Sequence, residues 1–452
     1  MMNSTIVLYE HQTYPLTWDE AYALEESCRA IWNQRKTSVL YLGAAAEYSD
    51  VDSPAQSLIQ FSYSHDGRVT IKPGGYIGII SAGMVQYIIL PKIFQDVDTD
   101  QIACYLDRMF GYAAQIKAAV SMAVASGAEA CSAIFAEILI NTFANRVCAL
   151  LSHRQYNAYQ EVDENISTVR GRIDFSEHVK RNLTAGRHDR IACTFELYQE
   201  DNLLNQIIKY VCRLLIARTR LYENRRILSA ALEQLEDVSD RHVDYRSCLR
   251  IKLNAYQQEY VPILDYCKMF LSYRMADVAS GEYGIDHVVI KTAALYEDFV
   301  AGYLREHASN IWRVETKKTG YIATEGGNPL FQFENDLLLV HQEIDCTIIV
   351  DAKYKSVELE DRSNKFGVSQ GDLYQMISYA VCRGARTVVL VYPGRHEYAD
   401  TGRVLHINDS RSRLPLTVHI CTIPMDIDDQ TNDHPPAWLD RLLSEVESIM
   451  ER

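Results

Sequence analysis

Leu330-Phe-Gln-Phe-Glu-Asn-Asp-Leu-Leu-Leu-Val340 and, after a short loop, Ile344-Asp-Cys-Thr-Ile-Ile-Val-Asp-Ala-Lys-Tyr-Lys355 decide how the chain is read. Two runs rich in Leu, Ile and Val flank the polar step His341-Gln342-Glu343, a pattern that predicts two strands joined by a tight hairpin. Alternate residues of a strand share a face, so Asp351 and Lys353 point the same way, about 7 Å apart. With the turn near Glu343, Asp336 lies opposite Asp351 or one pair away from it. Two carboxylates and an ammonium then cluster at the edge of a hydrophobic sheet. Burying such charges for stability alone is costly, which points to a ligand: a divalent metal with a phosphate beside it.

Around this hairpin the last third of the chain reads as α/β. A helix is expected over 289–307, carrying Glu297. Ser369-Gln-Gly-Asp372 opens another that runs through Arg383 and holds Gln375 and Tyr379, four apart and therefore on one face. Buried-type strands follow over 386–393 and 416–422, then an acidic, proline-containing stretch (426–436) and a last amphipathic helix over 438–450.

The first 97 residues look β-rich. An early helix over 17–33 begins at the capping-box pattern Thr17-Trp-Asp-Glu20, and short strands follow over 58–63, 69–72, 76–81 and 85–90. From 98 to 284 the pattern is mainly helical, closing at a junction near Gly281-Glu-Tyr-Gly284. Within that region Arg170, Arg172, Lys180, Arg181, Arg187 and Arg190 form a basic patch. It reads equally well as a phosphate or partner contact and as a solvated basic face. The expected domains are therefore 1–97, 98–284 and 285–452.

At 452 residues and net charge −15, the chain is long enough for two or three domains and too acidic to grip nucleic acid strongly alone. A nuclease whose partner supplies the grip is not excluded. Eleven cysteines without a CxxC pair or zinc spacing are expected to be reduced, mostly buried thiols of a cytoplasmic protein. The N-terminus shows no signal-peptide pattern, and the longest apolar helix is interrupted by Glu137, Asn141 and Arg146, so no membrane span is expected.

Metal-assisted phosphodiester hydrolysis fits the residues in order. Asp336 and Asp351, with Glu297 as a third donor, suit Mg2+ or Mn2+. Lys353 is placed to orient water and to offset charge on the phosphate, and Gln375 and Tyr379 to hydrogen-bond water or the DNA backbone. Singly, each signal is weak: an Asp-X-Lys triplet arises by chance on sheet edges, and Glu297, Gln375 and Tyr379 can be plain helix-face residues. Taken in order, the set resembles the PD-(D/E)xK nuclease core, a mixed sheet flanked by helices, with Asn335 where that pattern usually has proline.

A closer resemblance covers most of the chain. Gly75-Tyr-Ile-Gly-Ile-Ile80 with Ile88-Ile-Leu-Pro-Lys-Ile93, Val169-Arg-Gly-Arg-Ile-Asp-Phe175, the Asn205 helix opening, Asp351-Ala-Lys-Tyr-Lys355 and Asp372-Leu-Tyr-Gln-Met376 resemble the McrC family in order. The resemblance implies the DNA endonuclease subunit of a type IV restriction system that cuts modified-cytosine double-stranded DNA. It also implies that the N-terminal and middle regions engage and stimulate a hexameric AAA+ GTPase, McrB, and it tilts Arg170 and Arg172 toward partner contact. Two rivals remain: a non-catalytic activator of an AAA+ NTPase, which the intact Asp336, Asp351 and Lys353 oppose, and a free-standing RecB-like repair nuclease.

Overall fold

The computed structural model describes residues 4–34, 41–42, 58–64, 67–113, 127–153, 156–253, 255–271, 287–355, 365–394, 402–407, 416–425 and 437–450. The expected junction at 281–284 and the stretch 426–436 lie outside the described residues. The chain divides into two compact units, Met1–Ala136 with Ile285–Arg452, and Glu137–Gly284.

In the first unit a five-stranded sheet runs in the order Ser4–Tyr9, Val85–Leu90, Tyr76–Ala82, His287–Lys291, Tyr41–Leu42. A second sheet of three strands, Tyr14–Leu16, Val69–Pro73 and Ile59–Tyr63, packs into the same core. The helix Trp18–Gln34 contributes Leu24, Cys28 and Ile31 to it. The capping box forms as expected, with the Thr17 hydroxyl 2.7 Å from Glu20 Oε2 and the Thr17 N–H 3.0 Å from the same oxygen.

The helix expected over 289–307 begins later: residues 289–291 belong to the strand His287–Lys291, and the helix is Thr292–His307. Val288, Val289 and Ile290 are β-branched and fully buried, and they pair antiparallel with Ile79, Gly78 and Ile77. This pairing brings the backbones so close at Gly78 that a Cβ there would lie 1.9 Å from the Val288 carbonyl oxygen, at φ +134°. Gly78→Ala is therefore expected to destabilise this unit by roughly 3 kcal/mol or more. Chemical denaturation measures it, and a wild-type midpoint would show that the pairing yields easily.

The C-terminal part of this unit is a six-stranded mixed sheet in the order Trp312–Glu325, Asn328–His341, Thr347–Ala352, Thr387–Gly394, Leu416–Pro424, Arg403–Ile407. The hairpin strands pair antiparallel, and Thr347–Ala352, Thr387–Gly394 and Leu416–Pro424 run parallel. The parallel strands are buried on both faces, which explains why they read as unbroken apolar runs. Met376 and Ala380 of the helix Gln370–Arg383 cover one face, over Ile349, Val388, Leu390 and Ile420. Helix Thr99–Ala113 packs here as well: Tyr112 stacks edge-on against Phe299 and Tyr303, and the Arg108 guanidinium donates to the Pro424 carbonyl at 2.8 Å.

The second unit is less purely helical than expected. Beside the helices Leu203–Ile216, Tyr222–Glu233 and Val261–Leu271 it holds a three-stranded sheet, Ala158–Ile166, Ile191–Gln199 and Arg172–Ile173. The first of these strands, Ala-Tyr-Gln-Glu-Val-Asp-Glu-Asn-Ile, is mostly polar, so it lacks the apolar alternation by which strands are recognised. One stretch, Ala133–Ser152, is long and apolar enough to cross a membrane by composition. Its buried Glu137 carboxylate accepts from Thr219, the Arg220 N–H and Asn224, so its polar groups are satisfied inside this unit. Among the described residues no disulfide joins the cysteines, and most of these are buried.

Candidate active site

The hairpin places its charges as the alternation predicts. Leu337 pairs with Val350 and Leu338 with Ile349, so the next pair along is Asp336 and Asp351. The Ala352 N–H donates to Asp336 Oδ2 at 3.2 Å, tying the first carboxylate to the second strand. Asp351 is 2% exposed. Just past the end of its strand, the Lys353 N–H donates to the Val391 carbonyl at 2.9 Å, which fixes the turn and returns Lys353 Nζ to 2.8 Å from Asp351 Oδ2. Glu297 lies on the helix Thr292–His307 and is felt at the site through its charge on Asp336.

The electrostatics are those of a crowded anionic pocket. Burial raises the Asp336 pKa most, and the Asp351 and Glu297 charges raise it further against the pull of Lys353. Asp351 is raised by burial, with Lys353 opposing, and Glu297 is raised chiefly by burial. Burial works to lower the Lys353 pKa, but Asp351, Asp336 and Asp372 outweigh it and hold the ammonium protonated.

A carboxyl whose pKa is raised on folding binds its proton more tightly in the folded chain. Stability therefore falls as pH climbs from the ordinary carboxylate range through the raised value. Asp336→Asn keeps an oxygen for the Ala352 N–H and removes the repulsion. The variant should melt about 2 °C above wild type at pH 8, with the gap closing toward pH 4. Melting curves in chelator at both pH values measure this; a lower melting point at pH 8 would contradict the repulsion.

The other expected residues are placed as follows. Gln375 Nε2 donates to Tyr379 Oη at 2.9 Å, so the two do share a helix face. Tyr379 stacks on Phe333 of the Asp336 strand at 4.7 Å, while Gln375 is exposed. Neither makes a described contact with the carboxylates. Arg170 and Arg172 belong to the other unit. The Arg170 guanidinium lies 4.5 Å over the Phe195 ring, and the exposed Arg172 is 3.9 Å from Glu161. Between them Gly171 sits at φ +66°, where a Cβ would meet the Thr194 carbonyl oxygen at 2.5 Å, so the Arg-Gly-Arg spacing needs its glycine.

The partners of several residues around the site carried no signal in the sequence. Asp372 accepts from Lys355 at 2.9 Å and adds to the charge around Asp351. Asn335, which stands where proline was expected, is buried, and its Oδ1 accepts from Arg383 Nε at 3.0 Å. Arg383 also donates to the Lys318 and Thr319 carbonyls, so the Gln375/Tyr379 helix is clamped to the Asp336 hairpin at its C-terminal end. Proline at 335 would remove that acceptor.

Among the described residues no three His, Cys, Asp or Glu side chains converge tightly enough to enclose an ion. Two facing carboxylates with a third acting through its charge suit a hard cation that keeps several of its own waters.

The family model of the McrBC 5-methylcytosine restriction system component matches residues 71–393. The chain belongs to this family. The span that carries the McrBC match contains Glu297, Asp336, Asp351, Lys353, Gln375 and Tyr379. A curated relative, the type IV methyl-directed restriction enzyme EcoKMcrBC of Escherichia coli (strain K12), is 24% identical over 228 residues, 49% of this chain and 64% of that protein. The chain thus spans slightly less than two thirds of the relative's length. Among solved structures, a chain from a half-complex of Thermococcus gammatolerans McrB AAA+ hexamers with bound McrC matches with TM-score 0.54 and 18% identity. That match covers 98% of this chain and all of the other. At such identity the likeness speaks for the fold: a mixed α/β chain with several sheets.

Proposed function

We propose that this McrBC-family chain is the DNA endonuclease subunit of its restriction system, cutting double-stranded DNA that carries modified cytosine by phosphodiester hydrolysis. One observation carries the reading: the antiparallel register sets Asp336 against Asp351 with Lys353 Nζ on Asp351, gathering in one pocket charges that are costly to bury. Asp336 and Asp351 would hold Mg2+ or Mn2+, with Glu297 as a further oxygen donor. When bound, the ion supplies Lewis-acid polarisation of the phosphate and eases deprotonation of water. Lys353, kept protonated by its carboxylate neighbours, donates to the scissile phosphate and offsets the charge that builds on it. Gln375 and Tyr379, hydrogen-bonded to each other on the flanking helix, present amide and phenol groups to the DNA backbone.

The ring-forming partner is part of the same proposal. The relatives' descriptions pair McrC with McrB AAA+ hexamers. A chain of net charge −15 is poorly made to hold DNA unaided. In this reading the partner recognises and moves the DNA, and the Arg170/Arg172 patch contacts it. Reconstitution tests it: the chain, a McrB-like partner, GTP, Mg2+ and a 5-methylcytosine plasmid should give double-strand breaks, all five being required. Partner-stimulated GTP hydrolysis without any cutting would instead favour a non-catalytic activator.

A further inference from the structure

Glu10 is 1% exposed and has no part in the site described above. It follows the first strand of the five-stranded sheet, where the Glu10 N–H donates to the Leu90 carbonyl at 3.1 Å. Its carboxylate collects three donors. Oε1 accepts from the Thr292 hydroxyl, while Oε2 accepts from Tyr354 Oη at 2.9 Å and from the Lys92 N–H at 3.2 Å. A carboxylate this deeply buried is tolerated only when such donors surround it.

The three donors come from three different places. Lys92 belongs to the Pro91-Lys92 step that ends the N-terminal hairpin, and its ammonium also lies 5.5 Å over the Tyr354 ring. Thr292 opens the helix that carries Glu297, and its N–H donates to the Gly75 carbonyl at 3.1 Å. Tyr354 is the residue directly after Lys353, and its ring packs 5.9 Å from Tyr296, the neighbour of Glu297. One carboxylate therefore holds both elements that bring Lys353 and Glu297 to the pocket, and it holds them from the N-terminal sheet.

On the nuclease reading above, we infer that Glu10 is a positioning residue of the cutting site, fixing the Lys353-Tyr354 turn and the start of the Glu297 helix to the N-terminal sheet. The N-terminal sheet is then part of the catalytic machine and not merely a coupling region. Glu10 touches no reacting atom; it acts through Tyr354 and Thr292.

The test compares Glu10→Ala, Glu10→Gln and Tyr354→Phe in the full chain with its McrB-like partner, GTP, Mg2+ and a 5-methylcytosine plasmid. Glutamine can donate to Thr292 and still accept from Tyr354 and Lys92, so it should restore what alanine removes. Glu10→Ala and Tyr354→Phe should lower kcat for cutting by roughly 10-fold or more, leaving KM for DNA and partner-stimulated GTP hydrolysis near wild type. Glu10→Gln should cut within about threefold of wild type. Amide exchange at 352–355 and 292–297 should quicken in Glu10→Ala while 388–391 stay protected. Wild-type cutting by Glu10→Ala, or equal loss in the alanine and glutamine variants with a matching loss of GTPase stimulation, would overturn the inference. If wild type itself fails to cut, the nuclease reading falls, and the exchange pattern still decides whether Glu10 holds these two elements.

Discussion

Asp351→Asn should abolish cleavage of modified DNA, lowering the rate by roughly a thousandfold or more, while partner binding and stimulated GTP hydrolysis persist. Asparagine keeps the shape of a residue that is 2% exposed in the middle of the sheet, so the fold is retained. It removes one charge and one acceptor from the pair facing Asp336, and with them the ability to hold a hard divalent ion. Lys353 also loses the carboxylate at 2.8 Å that fixes its ammonium. A plasmid-linearisation time course with wild type alongside measures the effect. Cutting above about a tenth of the wild-type rate would place the catalytic carboxylates elsewhere.

Lys353→Ala should be nearly as damaging, for a different reason. Its ammonium pairs with the buried Asp351 and pulls on the half-buried Asp336, and its removal leaves Asp351, whose side chain is 3% exposed, without an ion-pair partner among the described residues. Breaking one side of such a pair destabilises by about 3 kcal/mol at neutral pH. The carboxylates respond by holding protons to higher pH, so the deficit should be worst at pH 8 and should shrink as the pH falls toward the ordinary carboxylate range. Cleavage should fall by roughly 100-fold or more, because no donor then faces the phosphate. Lys353→Arg should recover the stability and only part of the activity, since a planar fork cannot reproduce a point ammonium at the same spot. Melting at pH 5 and pH 8, with cutting assayed beside it, separates the two losses. A pH-independent deficit would mean that the pair contributes packing and not charge.

The hairpin was legible because period-two alternation fixes side-chain faces, and a turn near Glu343 then leaves little choice of register. Asp336, Asp351 and Lys353 could therefore be brought together before any coordinates. The shared helix face of Gln375 and Tyr379 was readable for the same reason, at a different period. What failed was of two kinds. His287–Lys291 adjoins a strong helix and is only five residues long, so its apolar run merged with the helical pattern. The strand Ala158–Ile166 has its partner in Ile191–Gln199 but too little apolar alternation to announce itself. The second kind is distance along the chain: Glu10 with Tyr354, or Arg383 with Asn335, are pairings that no local pattern encodes. Glu10 in the sequence is one acidic residue among 60 Asp and Glu.

The strand His287–Lys291 has a consequence for how the molecule is made. Ribosomal synthesis delivers Tyr76–Ala82 long before its neighbour Val289, and the continuous unit Glu137–Gly284 emerges in between. Until residue 291 leaves the exit tunnel, the Gly78 strand has an open edge on that side, the kind of template on which nascent chains misassociate. The N-terminal sheet is thus completed only as the hairpin with Asp336 and Asp351 is being translated, and chains released early would carry an unfinished sheet without that hairpin. Ribosome-stalled chains ending near 284 should be cleaved readily by protease at 76–82, and chains extended past 355 should resist.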